Sequence, residues 1–202
     1  MSYEIITALV AFAFVSSITP GPNNLMLMAS GTNFGIRRTI PHMLGVGIGF
    51  TIMVVLVGVG LMQVFDRIPV SYLVLKIISI SYLMYLAWKI ASAAPLPESE
   101  TTGENRGRPF TFLQAALFQW VNPKAWAMAL TAISAYTPPA QPLYSILVVA
   151  LVFGVVNLPS VGVWVVIGTQ LRRMLNDPIK LRAFNICAAV LLLGSLYPVL
   201  GF

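Results

Sequence analysis

Long apolar runs alternate with short polar connections along this chain. The runs read at about Ile5–Leu27, Ile40–Phe65, Val70–Ala91, Phe112–Tyr136, Leu143–Ile167 and Ala183–Leu200. A helix needs ~20 residues to cross ~30 Å of hydrocarbon, and every run approaches or exceeds that length. None shows the ~10-residue polar–apolar alternation of a membrane barrel strand. In lipid a backbone must satisfy its own hydrogen bonds, which a helix does. The pattern predicts an all-α integral membrane protein with six transmembrane helices. Glycine and proline interrupt several runs, as in Gly45-Val46-Gly47-Ile48-Gly49. Helices in lipid tolerate both, and small residues let helices pack closely.

Composition agrees with this reading. Of 202 residues, 12 are Lys or Arg and 6 are Asp or Glu, so 9% are charged against ~25% in a typical soluble domain. Hydrophobic residues make up 58%, and the mean hydropathy is +0.86. These values exclude an ordinary soluble enzyme, a disordered chain and a nucleic-acid partner, and they make membrane lipid the surrounding medium. The leading end carries Glu4 and no Lys or Arg, so the first run is not expected to be a cleaved signal. The single cysteine, Cys187, can form no intrachain disulfide or cysteine-based metal site, and a packing role is expected for it. Neither a metal nor a cofactor is implied.

Basic residues collect in alternate connections. The first holds Arg37 and Arg38. The third is flanked by Lys89 and holds Arg106 and Arg108. The fifth holds Arg172, Arg173, Lys180 and Arg182. The positive-inside rule places these connections in the cytoplasm and both termini outside. The connection over 93–110 is rich in Pro, Glu, Thr, Gly and Arg and reads as a cytoplasmic linker. It separates residues 1–92 from 111–202, with three spans on each side. Three is odd, so the second half enters the membrane from the opposite face: two inverted three-helix repeats, a common transporter plan.

The two halves share a faint motif. The first run contains Thr19-Pro20-Gly21-Pro22-Asn23-Asn24, and the fourth contains Trp120-Val121-Asn122-Pro123-Lys124. Pro22 and Pro123 are 101 residues apart, half the chain. Proline removes a backbone donor and clashes with the preceding turn, so the two prolines and the glycine of the first motif are expected to break or kink the first helix. Freed backbone groups then need partners, and Asn23, Asn24 and Asn122 have both donors and acceptors. One reading is a structural kink whose asparagines satisfy the freed carbonyls. The other is a shared substrate site at mid-membrane, made by Pro20, Gly21, Pro22, Asn23, Asn24, Asn122, Pro123 and Lys124. Asn157, in the polar interruption Asn157-Leu158-Pro159-Ser160, is a further candidate lining residue.

Lys124 sharpens the second reading. At 1.5 Å per residue it lies roughly 10–18 Å from the cytoplasmic interface, where an unpaired charge costs about 2.5–3.5 kcal/mol. No Asp or Glu lies in any run, so a substrate carboxylate would fit as its partner; snorkelling toward the interface is the alternative. Lys124 and His42, the only histidine, are the candidate proton carriers. A membrane-embedded enzyme is poorly supplied with one His, one Cys and no acid in the runs. An accessory subunit without its own substrate would tolerate apolar residues at Asn23, Asn24 and Lys124.

Thr19-Pro20-Gly21-Pro22-Asn23-Asn24, with Gly31, Gly35 and the Arg37-Arg38 turn, resembles the LysE/RhtB family of bacterial amino-acid exporters. So does Gln119-Trp120-Val121-Asn122-Pro123-Lys124 at the fourth run. The resemblance extends over the whole chain. It implies efflux of amino acids or their derivatives from the cytoplasm across the bacterial inner membrane, driven by proton motive force, in a homodimer. In that setting Lys124 and amides near the first break are expected to hold the substrate carboxylate. Carbonyls freed near Pro20–Pro22, with the asparagines, are expected to meet its ammonium.

Overall fold

The computed structural model describes residues 1–61, 63, 67–68, 70–92, 108–138, 142–174 and 177–197. All regular elements among the described residues are helical. Helix α1 (Tyr3–Ile18) starts at Ser2, whose hydroxyl accepts the Ile5 amide. It stops because Thr19 precedes a proline, and steric conflict with the proline ring drives that residue into extended backbone; its φ and ψ are −66° and 146°. Gly21 is also extended, and Pro22 opens α2 (Pro22–Leu56) at its first turn, where a missing amide hydrogen costs nothing.

Helix α2 is not straight. At Gly35 the backbone reaches φ 76° and ψ 172°, a region open in practice only to glycine. The chain turns a corner there, and residues 36–56 form a second arm. A π-helical turn over Val57–Leu61 follows. Next come α3 (Val70–Ala91), α4 (Phe112–Phe118) and a 3-10 turn over Gln119–Val121. Helix α4 begins with a reciprocal cap: Gln114 N donates to Thr111 Oγ1, and Thr111 N donates to Gln114 Oε1. Asn122 is extended, again ahead of a proline, and Pro123 opens α5 (Pro123–Tyr136). Helices α6 (Pro142–Met174) and α7 (Pro178–Gly194) complete the order.

Three stretches are long and apolar enough to cross a membrane: Pro22–Leu61, Val70–Ala91 and Pro142–Arg172. Helix α1 and residues Phe112–Val121 are shorter apolar helices. Large apolar side chains such as Leu151, Val155, Leu113 and Val190 point outward, each more than half exposed. Lipid covers such a surface; water does not. The chain is therefore a multi-pass membrane protein.

One part of the core lies where α1, the second arm of α2, α5 and α6 meet. Leu9, Ala13, Phe50, Met53, Ala129, Val149 and Phe153 pack in one cluster. A second joins the first arm of α2 to Phe118, α3 and α7 through Leu25, Met26, Leu83, Leu86, Ala189 and Leu192. In lipid, helices associate through close packing and polar contacts rather than the hydrophobic effect. The crossing of α2 with α6 uses both. Gly31 abuts the Val165 backbone and Gly168 abuts the Met28 backbone. At the same crossing Thr32 Oγ1 donates to Gly168 O at 2.9 Å.

Several boundaries differ from the apolar pattern. The first run continues through the Thr19–Gly21 break into α2, and the fourth breaks at Asn122. Helix α6 extends through Met174 and α7 starts at Pro178, so residues 172, 173, 180 and 182 lie on helices rather than in a loop. Hydropathy follows the apolar stretch, whereas backbone hydrogen bonding continues past it to the next cap. Cys187 is exposed on α7, not packed inside. Most of the linker over 93–110, with Glu98, Glu100, Glu104 and Arg106, and also Asp66, lies outside the described residues.

Candidate functional site

The end of α1 leaves carbonyls with no helical partner. Side chains from three places take them up. Asn24 Nδ2 donates to Ser17 O at 2.8 Å and to Thr19 O at 2.7 Å. Trp164 Nε1, from α6, donates to Ile18 O at 3.0 Å. Lys124 Nζ, from α5, donates to Thr19 O at 2.6 Å, Thr19 Oγ1 at 2.9 Å and Pro20 O at 3.3 Å. All three ammonium protons thus have acceptors. The C-terminal end of α1 also carries the negative pole of its backbone dipole, which favours a cation there. The charge on Lys124 is satisfied within the chain, by two backbone oxygens and a hydroxyl in place of a carboxylate.

The second break is capped locally. Asn122 Oδ1 accepts the Lys124 amide at 3.1 Å. A further pair joins the two breaks: Asn23 Nδ2 donates to Gln119 Oε1 at 2.8 Å, and Gln119 Nε2 donates to Asn23 Oδ1 at 3.1 Å. A Cβ at Gly21 would sit 2.6 Å from Lys124 Cδ, so any larger residue there would push the lysine side chain aside. The proximity of Ala8 to Tyr136 and of Thr19 to Lys124 shows α1 and α5 running antiparallel.

Between the breaks lies a small cavity of about 20 Å³. Its polar side is formed by Ser16, Ser17, Gly21, Asn23, Asn24, Asn122, Lys124 and Asn157, and its apolar side by Phe50, Ala125, Met128 and Val161. The interior is narrow, open to about one water-sized sphere, so a larger solute requires the walls to part. Lys124 is the one charged residue among the described residues of the lining. Asn157, on α6, is buried; its Nδ2 donates to Ser17 Oγ at 3.1 Å.

Of the residues singled out from sequence, Gly21, Asn23, Asn24, Asn122, Lys124 and Asn157 come together in this lining. Pro20, Pro22 and Pro123 shape the breaks without lining the cavity. Asn24 fulfils the kink reading, since both its amide protons serve freed carbonyls. Those carbonyls, expected to receive an ammonium, are bonded within the protein. His42 lies apart from the cavity. It is buried and rests on the Phe110 ring at 5.2 Å between centroids, with neither ring nitrogen hydrogen-bonded among the described residues. Gln119, Ser17 and Trp164 hold the site together but were not candidates. An amide at 119 inside an apolar run, one turn before the proline, was the available signal for Gln119. No group of three or more His, Cys, Asp or Glu among the described residues could hold a metal.

Comparison with known proteins gives this arrangement a context. A cysteine/O-acetylserine efflux protein of Klebsiella pneumoniae is 28% identical over 176 residues, covering 86% of this chain and 87% of that protein. A cysteine/O-acetylserine efflux protein of Escherichia coli K12 is 27% identical over 195 residues, covering 95% of each. No solved structure matches the chain. The sequence profile of the LysE type translocators matches residues 14–195, which takes in both breaks and every residue of the cavity lining, and the chain belongs to that family, a translocator and not an enzyme.

Proposed function

We propose that the chain exports a small amino acid, or an amino-acid derivative, with an uncharged side chain. Cysteine and O-acetylserine, named for the relatives, are of this kind. The observation that carries the reading is Lys124 reaching from one helix break to the other across a polar cavity. A solute carboxylate competes with the Thr19 and Pro20 oxygens for that ammonium, and a charge-assisted pair with a full anion is the stronger bond. With no acid in the lining, a cationic side chain has no partner there, whereas Phe50, Met128 and Val161 offer a wall for a small apolar group.

In the full reading, six spans form two inverted repeats, 1–92 and 111–202, joined by a cytoplasmic linker, with both termini outside. Paired breaks 101 residues apart, each followed by proline at the first turn of a helix, support it. Rocking of the halves about the cavity exchanges access between the faces of the bacterial inner membrane. Carboxylate binding removes Lys124 from the end of α1 and so loosens the tie between the halves. Proton motive force drives net export, with Lys124 and His42 as the proton-carrying candidates, and the working unit is a homodimer.

Efflux of preloaded amino acids from liposomes tests this. Lys124→Met, which keeps length but not charge, is expected to slow export about 10- to 100-fold, the worth of a charge-assisted bond. Unchanged export by a folded Lys124→Met variant removes Lys124 from the mechanism. A protonophore that leaves net export untouched removes the proton from it.

A further inference from the structure

The proposed export leaves one end of the solute unassigned. Lys124 answers to a carboxylate; when it is drawn away, the Ser17, Ile18 and Thr19 carbonyls keep Asn24 and Trp164 as donors, and the α-ammonium needs an acceptor beyond them. Among the described lining residues, one fully buried side-chain acceptor has no hydrogen-bond partner. Asn157 is 5% exposed, its Nδ2 is committed to Ser17 Oγ at 3.1 Å, and its Oδ1 has no hydrogen-bond partner among the described residues. A buried amide oxygen left unbonded carries a desolvation cost, and such atoms in a binding site are satisfied by what binds. We propose that Asn157 Oδ1 is the ammonium subsite of the cavity.

Lys124 and Asn157 then form two poles of one site. The first is positive and takes a carboxylate. The second is a neutral acceptor that takes N–H donors, and Ser17 holds its amide in that orientation. Such a site selects α-amino acids over carboxylic acids of the same shape. A neutral acceptor also suits a zwitterion that must leave again, since a buried carboxylate opposite the ammonium would hold it more tightly. The assignment rests on the export reading, and the experiment separates the two.

Purified protein in liposomes is loaded with labelled O-acetyl-L-serine. Competition is measured with unlabelled O-acetyl-L-serine and with 3-acetoxypropionate, the same molecule without its amino group. The wild type is expected to prefer the amino acid by about 10- to 100-fold. Asn157→Leu is expected to lose that preference by weakening O-acetylserine alone. Asn157→Asp keeps an acceptor and adds a negative charge, so it is expected to retain O-acetylserine and to weaken 3-acetoxypropionate further. Equal weakening of both compounds in Asn157→Leu, or unchanged preference, overturns the subsite. Should Asn157→Leu not fold, an Asn157→Asp variant that loses O-acetylserine, or comes to prefer 3-acetoxypropionate, overturns it equally. A wild type that moves neither O-acetyl-L-serine nor any of a panel of amino acids with uncharged side chains overturns the export reading first.

Discussion

The two helix breaks start from the same local chemistry and are finished differently. Each has an extended residue held out of the helix by a following proline, and each following helix opens on that proline. The second break is closed by its own residue, Asn122, over its own next amide. The first is closed from elsewhere: Asn24 from the next helix, Trp164 from α6 and Lys124 from α5. A locally capped break keeps its shape whatever its neighbours do. A break capped by three separate elements reports on all of them, and it loosens when one is drawn away. Lys124 ties the two together. It sits at the first turn of α5, where the positive end of the helix dipole opposes a cation, and is compensated by the negative end of α1. That compensation holds only while the two breaks face each other.

The sharpest way to break this contrast is Asn24→Leu. It leaves Ser17 O short of its only side-chain donor and Thr19 O dependent on Lys124 alone, and is expected to cost about 2 kcal/mol, read as a lowered Tm in detergent. A Tm equal to wild type shows that the first break does not need its external caps. Gly21→Ala is next. Its methyl group meets the Lys124 side chain and displaces the ammonium from Thr19 and Pro20, so export is expected to fall about tenfold, roughly one charge-assisted bond, with Tm nearly unchanged. Full activity in this variant severs the link between the breaks and transport. Asn122→Ala removes one local cap and is expected to cost about 1 kcal/mol. A loss larger than that of Asn24→Leu reverses the comparison.

Much of the fold was legible because its determinants are local. Apolar length announces helices such as Val70–Ala91, and a proline disturbs the residue before it wherever it stands. Helix ends were less legible, as with Arg172 on α6, because hydrogen bonding does not stop where hydropathy does. In the site, proximity of Asn23, Asn24, Asn122 and Lys124 was foreseeable from the paired motif. Their partners were not. Asn24, a candidate both for the kink and for the solute, gives its amide protons to the backbone of α1. Lys124 was expected to lack a counter-charge and finds one in a helix end, an acceptor with no side chain to betray it. Cys187 was expected inside and lies outside, since nothing in a uniformly apolar run tells which face meets lipid.

Sequence alone determined a membrane-embedded helical chain broken at Thr19–Gly21 and Asn122, because apolar length and the steric demand of proline act within a few residues. Tertiary structure alone decided which groups meet. Asn23 finds Gln119 across 96 positions, Lys124 finds Thr19 across 105, and Trp164 finds Ile18 across 146. Hydrogen bonds over such separations depend on where helices cross and how closely small residues let them approach, and no local preference encodes that.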